Sequence, residues 1–374
     1  MASTRRIVFI CPVQCDPREQ RRGASLMGEF DESVVVCYQR GYYPENTWPV
    51  GMEVTLMPKA TDGEHLKRLV GFPKAFSVAK RKVRECSGPQ VLYGFGLESG
   101  ILACLLKRPS DRFVWEVADL PTAGMRPSLK KSVAEWLEMQ VLKRCDRLVM
   151  TSRPMFDAHY RLRQPSSEDK LIVLENRLAA EYIPLAGTTK KRCGRPIRLG
   201  WTGFLRNAEL YERLLKAVAL DGGATVTLGI WGGGPGAEMA RTFANASPNI
   251  QFHGTYRESP ETLREIHSQM DVQVILDDSS NLNVRHAIPN RLFYCLAFET
   301  PMLVTAGTAK ETRVRSLGVG EGVDEKSVDW QRVFERLASQ PLIDGWLENL
   351  KHVPMEQRFL DSGPLIDVVR QWTH

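Results

Sequence analysis

No apolar run in this chain approaches the roughly 18 residues that a membrane-spanning helix needs. The opening MASTRR leads straight into the strand-like IVFI with no signal-peptide core, which points to a cytoplasmic protein. Close cysteine pairs are scarce too. Of 8 cysteines only Cys11 and Cys15 are neighbours, and no second Cys or His pair stands at ligand spacing, so no structural metal is expected. Most of the thiols fall inside apolar segments, as reduced, buried cysteines do. Gly-x-Ser-x-Gly, the phosphate-loop lysine pattern and His-Glu-x-x-His are absent, which removes the commoner hydrolase, P-loop and zinc-protease chemistries. Low-complexity tracts and short repeats are missing, and with 43% hydrophobic and 25% charged residues the composition excludes a disordered or fibrous chain.

What is present is an alternation of apolar strand candidates and helical stretches. Ile7–Ile10, Val34–Tyr38, Val91–Phe95, Arg112–Val117, Arg147–Ser152 and Leu171–Asn176 form a first series. The polar stretch Gly187–Arg195 interrupts it. Ile197–Gly203, Thr225–Gly232, Ile250–Gly254, Val272–Asp277 and Pro301–Ala306 form a second. Alternation of this kind implies parallel sheets with crossover helices, and 374 residues exceed the usual single domain. The expectation is an α/β protein of two doubly wound, Rossmann-like domains facing across a cleft, with ligands at the carboxyl ends of the strands.

The net charge of +6 is unevenly spread. Residues 1–190 hold 29 Lys/Arg against 22 Asp/Glu, and the remainder holds 21 against 22. Within the basic half, residues 64–84 interleave Lys67, Arg68, Lys74, Lys80, Arg81, Lys82 and Arg84 with apolar residues. That pattern suits peripheral contact with an anionic membrane face, or a plain solvated helix face. The excess is too modest, and too far from any known module, for nucleic-acid binding.

Glycine-rich turns raise the question of a dinucleotide cofactor. Its fingerprint belongs after the first strand, where CPVQCDPREQRRG contains no Gly-x-Gly. The glycine turn at 231–236 is followed by AEMARTFANASPNI, with no acidic residue suitably placed to hold a ribose. No cofactor is expected.

The segment HAIPNRLFYCLAFETPMLVTA, His286 to Ala306, reads as a loop, a helix N-terminus near Pro289 and Asn290, a helix from Arg291 to Phe298 and a strand after Pro301. It resembles the nucleotide-sugar motif of GT-B glycosyltransferases, family 4 in particular, and Pro289 to Phe293 is close to the Pro-Asn-Lys-Leu-Phe of a divergent branch. The family usually has two glutamates separated by seven residues. This chain has His286 and Tyr294 there, and Glu299 where a glycine is common. The alternative is a plain core helix with a solvent-facing His286.

The resemblance implies a domain of residues 1–190 for the acceptor, a domain of 191–354 for the nucleotide-sugar, and a terminal helix in 355–374 that returns to the first. It implies a donor site made of Gly203, Arg206, Gly233, Gly234, Arg285, Asn290, Arg291 and Tyr294, with Arg206 as diphosphate clamp and Asn207 capping the next helix. An expected lysine near Arg206 is missing, so Arg285 or Arg291 must replace its charge. Glu116 and Asp119, at the end of VWEVADLP, are the candidates for acceptor hydroxyls, and His286 stands near the transferred sugar. A capping Asp119 and a salt-bridged Glu116 are equally open. The implied activity is metal-independent, retaining transfer from a nucleotide-sugar to a saccharide or lipid-linked acceptor, in polysaccharide or glycoconjugate synthesis at the inner face of the membrane. A non-catalytic binding protein and a sugar-nucleotide epimerase or hydrolase on the same fold remain alternatives.

Overall fold

A computed structural model describes residues 5–14, 16–39, 48–59, 65–122, 125–187, 194–205 and 208–373. One sheet contains β1 (Arg6–Cys11), β2 (Glu32–Gln39), β3 (Met52–Lys59), β4 (Val91–Phe95), β5 (Arg112–Val117), β6 (Arg147–Met150) and β7 (Leu171–Val173). Their order is β3-β2-β1-β4-β5-β6-β7, all parallel. A second sheet contains β8 (Ile197–Thr202), β9 (Val226–Trp231), β10 (Ile250–Gly254), β11 (Val272–Ile275), β12 (Met302–Thr305) and β13 (Gly320–Val323). Its order is β10-β9-β8-β11-β12-β13, again all parallel.

The crossovers of the first sheet are α1 (Pro17–Leu26), α2 (His65–Arg84), α3 (Gly96–Leu106), α4 (Leu129–Arg144) and α5 (Arg153–Arg163). Those of the second include α6 (Ala208–Asp221), α7 (Ala237–Ala246), α8 (Pro260–Ser268), α9 (Leu282–His286), α10 (Asn290–Ala297) and α11 (Ala309–Leu317). Then come α12 (Trp330–Leu337), α13 (Gln340–Lys351), α14 (Met355–Arg358) and α15 (Gly363–Thr373).

Central parallel strands are covered on both faces and read as unbroken apolar runs, which is why Ile7 to Cys11 and Val34 to Cys37 are buried along their whole length. The two strands that the sequence does not announce both lie on a sheet edge and lack such a run, whereas the edge strands β7 and β10 keep enough apolar residues to show. β3 is exposed or half-buried everywhere except at Met57, and it contains Pro58. β13 is GEGV, and its glycines are steric necessities. A Cβ on Gly320 would lie 2.0 Å from the Met302 carbonyl oxygen, and one on Gly322 would lie 2.2 Å from the Glu311 carboxylate.

The chain divides into two compact units, Met1–Glu175 with Asp361–His374, and Asn176–Leu360. The stretch after Asn176 packs with the second unit. Leu178 and Tyr182 share a buried cluster with Leu263, Tyr294, Phe298 and Phe359, the Gly187 N–H donates to Ala297 O at 2.9 Å, and the Leu360 N–H donates to Leu178 O at 2.7 Å. In the first unit, α15 buries Leu365 and Val369 in the core that contains Phe9, Val35 and Tyr93, and Arg370 pairs with Glu29 at 2.8 Å.

Glu299 follows α10 with φ at +49°, a left-handed conformation that glycine adopts without cost. Its carboxylate accepts from Arg358 at 3.3 Å, while the same buried guanidinium donates to Val353 O and Leu350 O at the end of α13. Glu299 therefore accepts backbone strain in exchange for holding a helix clamp. Glu299→Ala and Glu299→Gly both remove the ion pair, but only alanine keeps the strain. Urea unfolding should find the alanine variant less stable than the glycine variant by about 1 kcal/mol.

Candidate functional site

In each sheet the strand order reverses at a switch point, between β1 and β4 in the first and between β8 and β11 in the second. Ligands in open α/β sheets bind outside the carboxyl ends of strands at such a point. In the second unit the residues there are Thr202 and Gly203, at and just past the end of β8, and Leu276 and Asp277 after β11. The Asp277 N–H donates to Thr305 Oγ1 at 2.8 Å, and that hydroxyl donates back to Asp277 O at 3.0 Å. The loop after β11 is thereby pinned to the end of β12.

Two cations converge on the Asp277 carboxylate. Lys310 Nζ, from the first turn of α11, lies 2.6 Å from Oδ2, and Arg291 Nη2, from the first turn of α10, lies 3.4 Å from Oδ1. Arg291 Nη1 also donates to Thr202 O at 3.1 Å, which anchors the guanidinium at the end of β8. The Tyr211 hydroxyl donates to Leu276 O at 2.8 Å and faces the same guanidinium. Burial works against ionisation of Asp277, yet Arg291 and Lys310 hold its carboxyl below the ordinary range. Burial lowers the Lys310 ammonium, with Asp277 opposing, whereas Asp277 outweighs burial at Arg291 and raises it. Two cations thus share the one carboxylate that touches them, with buried Glu325 a further acid that acts on Lys310, and an anion at the end of the sheet would meet Arg291 and Lys310 together.

Glycines bring the neighbouring loops together. Gly203 has φ +100°, and a Cβ there would lie 3.3 Å from Arg291 Cδ. A Cβ on Gly232 would lie 1.9 Å from Gly203 O, and one on Gly234 (φ +110°) 2.9 Å from the Phe204 ring. The Leu205 N–H donates to Gly233 O at 2.8 Å. Gly233 and Gly234 thus clamp the loop that leads to Arg206 and Asn207, which themselves lie outside the described residues.

The remaining expected donor residues are dispersed. Asn290 is the first residue of α10, and Pro289, at the cap, supplies no side-chain bond to the helix amides. The helix spans Asn290–Ala297, one residue earlier than the sequence suggests. Tyr294 buries its ring, and its hydroxyl donates to Glu258 Oε2 at 2.8 Å. Arg285 is exposed and its Nε donates to Ser279 O at 3.2 Å. His286 ends α9 half-buried, and burial followed by the charge of Arg285 lowers its pKa, so the imidazole is neutral near pH 7.

In the first unit Asp119 is exposed on the loop after β5, whereas Glu116 is completely buried within β5. Arg22 Nε donates to Glu116 Oε2 at 3.0 Å and Nη2 to Oε1 at 3.4 Å, the Tyr93 hydroxyl donates to Oε2 at 2.5 Å, and Arg18 Nε lies 3.5 Å from Oε1. Both carboxylate oxygens are taken, so Glu116 does not meet an acceptor hydroxyl. It organises Arg18 and Arg22 instead. Arg18 is also drawn to Asp16, Glu19 and Asp119.

Lys310 is the residue that sequence reading passes over. The resemblance points to a lysine in the loop near Arg206, but the cation comes from TAGTAKETR, where Thr308 caps α11 and accepts from the Glu311 N–H. A lysine one residue inside a capped helix that follows a buried strand was the available signal.

No family model and no curated protein matches the sequence. Solved structures do match. Sucrose-phosphate synthase from Thermosynechococcus elongatus is 15% identical, with TM-score 0.68 over 98% of each chain. HepE from Anabaena, solved in complex with UDP, is 10% identical with TM-score 0.66 over 98% of this chain and 97% of that one. WaaG, a glycosyltransferase involved in lipopolysaccharide biosynthesis, is 13% identical with TM-score 0.64 over 97% of this chain and 99% of that one. At these identities the likeness concerns architecture, and with two all-parallel sheets the chain has the α/β fold of the GT-B glycosyltransferases.

Proposed function

We propose that the protein transfers a sugar from a nucleotide-sugar donor to a hydroxyl of a saccharide or lipid-linked acceptor, with retention of anomeric configuration and without a metal. The observation that carries this reading is the Arg291–Asp277–Lys310 cluster at the switch point of the second sheet. Breaking the bond between the anomeric carbon and the diphosphate leaves the electron pair, and a growing negative charge, on the leaving oxygen. Preorganised cations in a water-poor site stabilise such charge effectively. Arg291 and Lys310 are the groups for that task, with Asp277 aligning both. Arg206, the diphosphate clamp expected from the sequence, adds its charge, and Gly203 lets the backbone approach the ligand.

Tyr294 with Glu258 binds the nucleoside hydroxyls, neutral His286 hydrogen-bonds the donor sugar, and Asn290 presents the α10 amides to phosphate. Asp119, not Glu116, takes the acceptor hydroxyl. Complexes of HepE with UDP, and with UDP and glucose, support a nucleotide-sugar donor. No described helix is long and apolar enough to cross a membrane.

Thermal melting against a panel of nucleoside diphosphates and nucleotide-sugars tests the reading. A ligand at a hundred times its Kd adds about 2.7 kcal/mol to folding, so one diphosphate should raise the Tm selectively and Arg206→Ala should shrink that rise. No rise with any nucleotide would replace the transferase by a non-catalytic binding protein. Alteration of the free nucleotide-sugar without acceptor would replace it by an epimerase or hydrolase.

A further inference from the structure

A crossover helix in a parallel α/β unit needs one apolar face, the one that covers the sheet. α4 has two. Glu138, Val141 and Leu142 are buried, while Leu129, Val133 and Trp136 are 82%, 49% and 60% exposed. At about 100° per residue these three fall within roughly 60° of one another, on the side of the helix opposite the buried residues. No other helix presents more than one exposed large apolar side chain among the described residues.

Cations surround this stripe. Lys130 lies beside Leu129, and Lys143 and Arg144 fall to either side of the stripe's line at the far end, with Arg126 just before the helix; all four are exposed. Lys131 is partly covered and pairs with Glu135 at 3.9 Å. Glu138, the other acid of the helix, is buried against Tyr160 and His159. The surface of α4 is therefore apolar along its crest and positive along its flanks. A second copy of the chain would set like charges against each other across any two-fold contact on this face. An anionic lipid surface satisfies both parts at once, and an indole is at home at the level of the headgroups.

We propose that α4 is a membrane-docking helix, lying flat on an anionic lipid surface with Leu129, Val133 and Trp136 in the headgroup–acyl boundary and Arg126, Lys130, Lys143 and Arg144 on lipid phosphates. The basic stretch at 64–84 has a different surface. In its described part α2 turns Ala75, Ala79 and Val83 inward and leaves Lys74, Lys80, Arg81 and Arg84 outside, and Lys82 is engaged by Glu53 and Glu85. That helix offers attraction without insertion. α4 offers both, and its N-terminus continues the loop that carries Asp119, at the carboxyl edge of the first sheet. The inference stands independently of the transferase reading, since it concerns binding to lipid alone.

Flotation of the full chain with vesicles of phosphatidylcholine, and with vesicles containing about 30% phosphatidylglycerol, decides the matter. Binding to the anionic vesicles is expected, with loss in about 0.5 M salt. Leu129→Ser, Val133→Ser and Trp136→Ser together should lower it tenfold or more at an unchanged Tm, because all three side chains are exposed. Neutralising Lys130, Lys143 and Arg144 should lower it about fivefold for each charge removed. Wild-type chain that floats with neither vesicle overturns the proposal, as does a triple serine variant that binds like the wild type. A dimer in light scattering that the triple variant dissociates would assign the stripe to self-association and overturn it as well.

Discussion

Arg291→Ala is expected to lower turnover by about a hundredfold to a thousandfold, the effect of removing one preorganised donor from a developing oxyanion, while leaving the protein folded. The second half of that expectation comes from counting charges. Arg291 and Lys310 share a single carboxylate, so losing Arg291 leaves Lys310 and Asp277 as a matched pair at 2.6 Å. Asp277→Ala is the opposite case, because it leaves Lys310 and Arg291 facing each other without the carboxylate that touches both and should destabilise the second unit strongly. Arg291→Lys keeps the charge but loses the fork that reaches both Thr202 O and Asp277, so it should restore part of the rate. Turnover at saturating nucleotide-sugar, with the Tm of each variant, separates these effects. A folded Arg291→Ala variant that turns over normally would remove the cluster from the chemistry.

Much of the architecture could be read from the chain because buried parallel strands carry their environment in their own composition. Ile7 to Cys11 and Met302 to Val304 are apolar throughout because both faces of their sheets are covered. The edge strands β3 and β13 carry no such mark, and Gly320–Val323 is recognisable only once Met302 is known to lie beside it. The site follows the same division. Arg291 and Gly203 could be found from their places in a motif. The Lys310–Asp277 pair spans 33 residues, and the Tyr294–Glu258 bond spans 36; only the fold brings such partners together. Glu116 misleads for a related reason. At the carboxyl end of a strand it looks like a ligand-facing acid, but α1 places Arg22 against it and covers both oxygens. Nothing in REQRRG announces which of its arginines is buried.

That buried pair yields a second large effect. Arg22 and Glu116 are 2% and 0% exposed at their side chains, and truncating one member of such a pair typically costs about 3–5 kcal/mol because the other charge is left buried. Arg22→Met should therefore bring the protein close to unfolding at moderate temperature, with only the less buried Arg18 still near the carboxylate. Converting both residues, Arg22→Met with Glu116→Leu, should recover much of the loss. The pH dependence gives an independent sign. In the wild type burial opposes ionisation of Glu116, but Arg22 and Arg18 lower its pKa, so its contribution is present above the unfolded carboxylate value and lost as pH falls through the folded one. Without Arg22, burial prevails and the pKa rises above the unfolded value. The variant then gains stability as pH falls through the raised pKa toward the unfolded carboxylate value, and its Tm deficit should shrink as the pH is lowered from neutral toward that value. Glu19, whose carboxyl burial pushes up and Glu116 raises further, titrates in both proteins, so the difference between them reports the Arg22–Glu116 site together with its coupling to Glu19. A deficit that stays constant over this range would mean that Glu116 is not left ionised and unpaired, and that Arg22 stabilises the unit through packing alone.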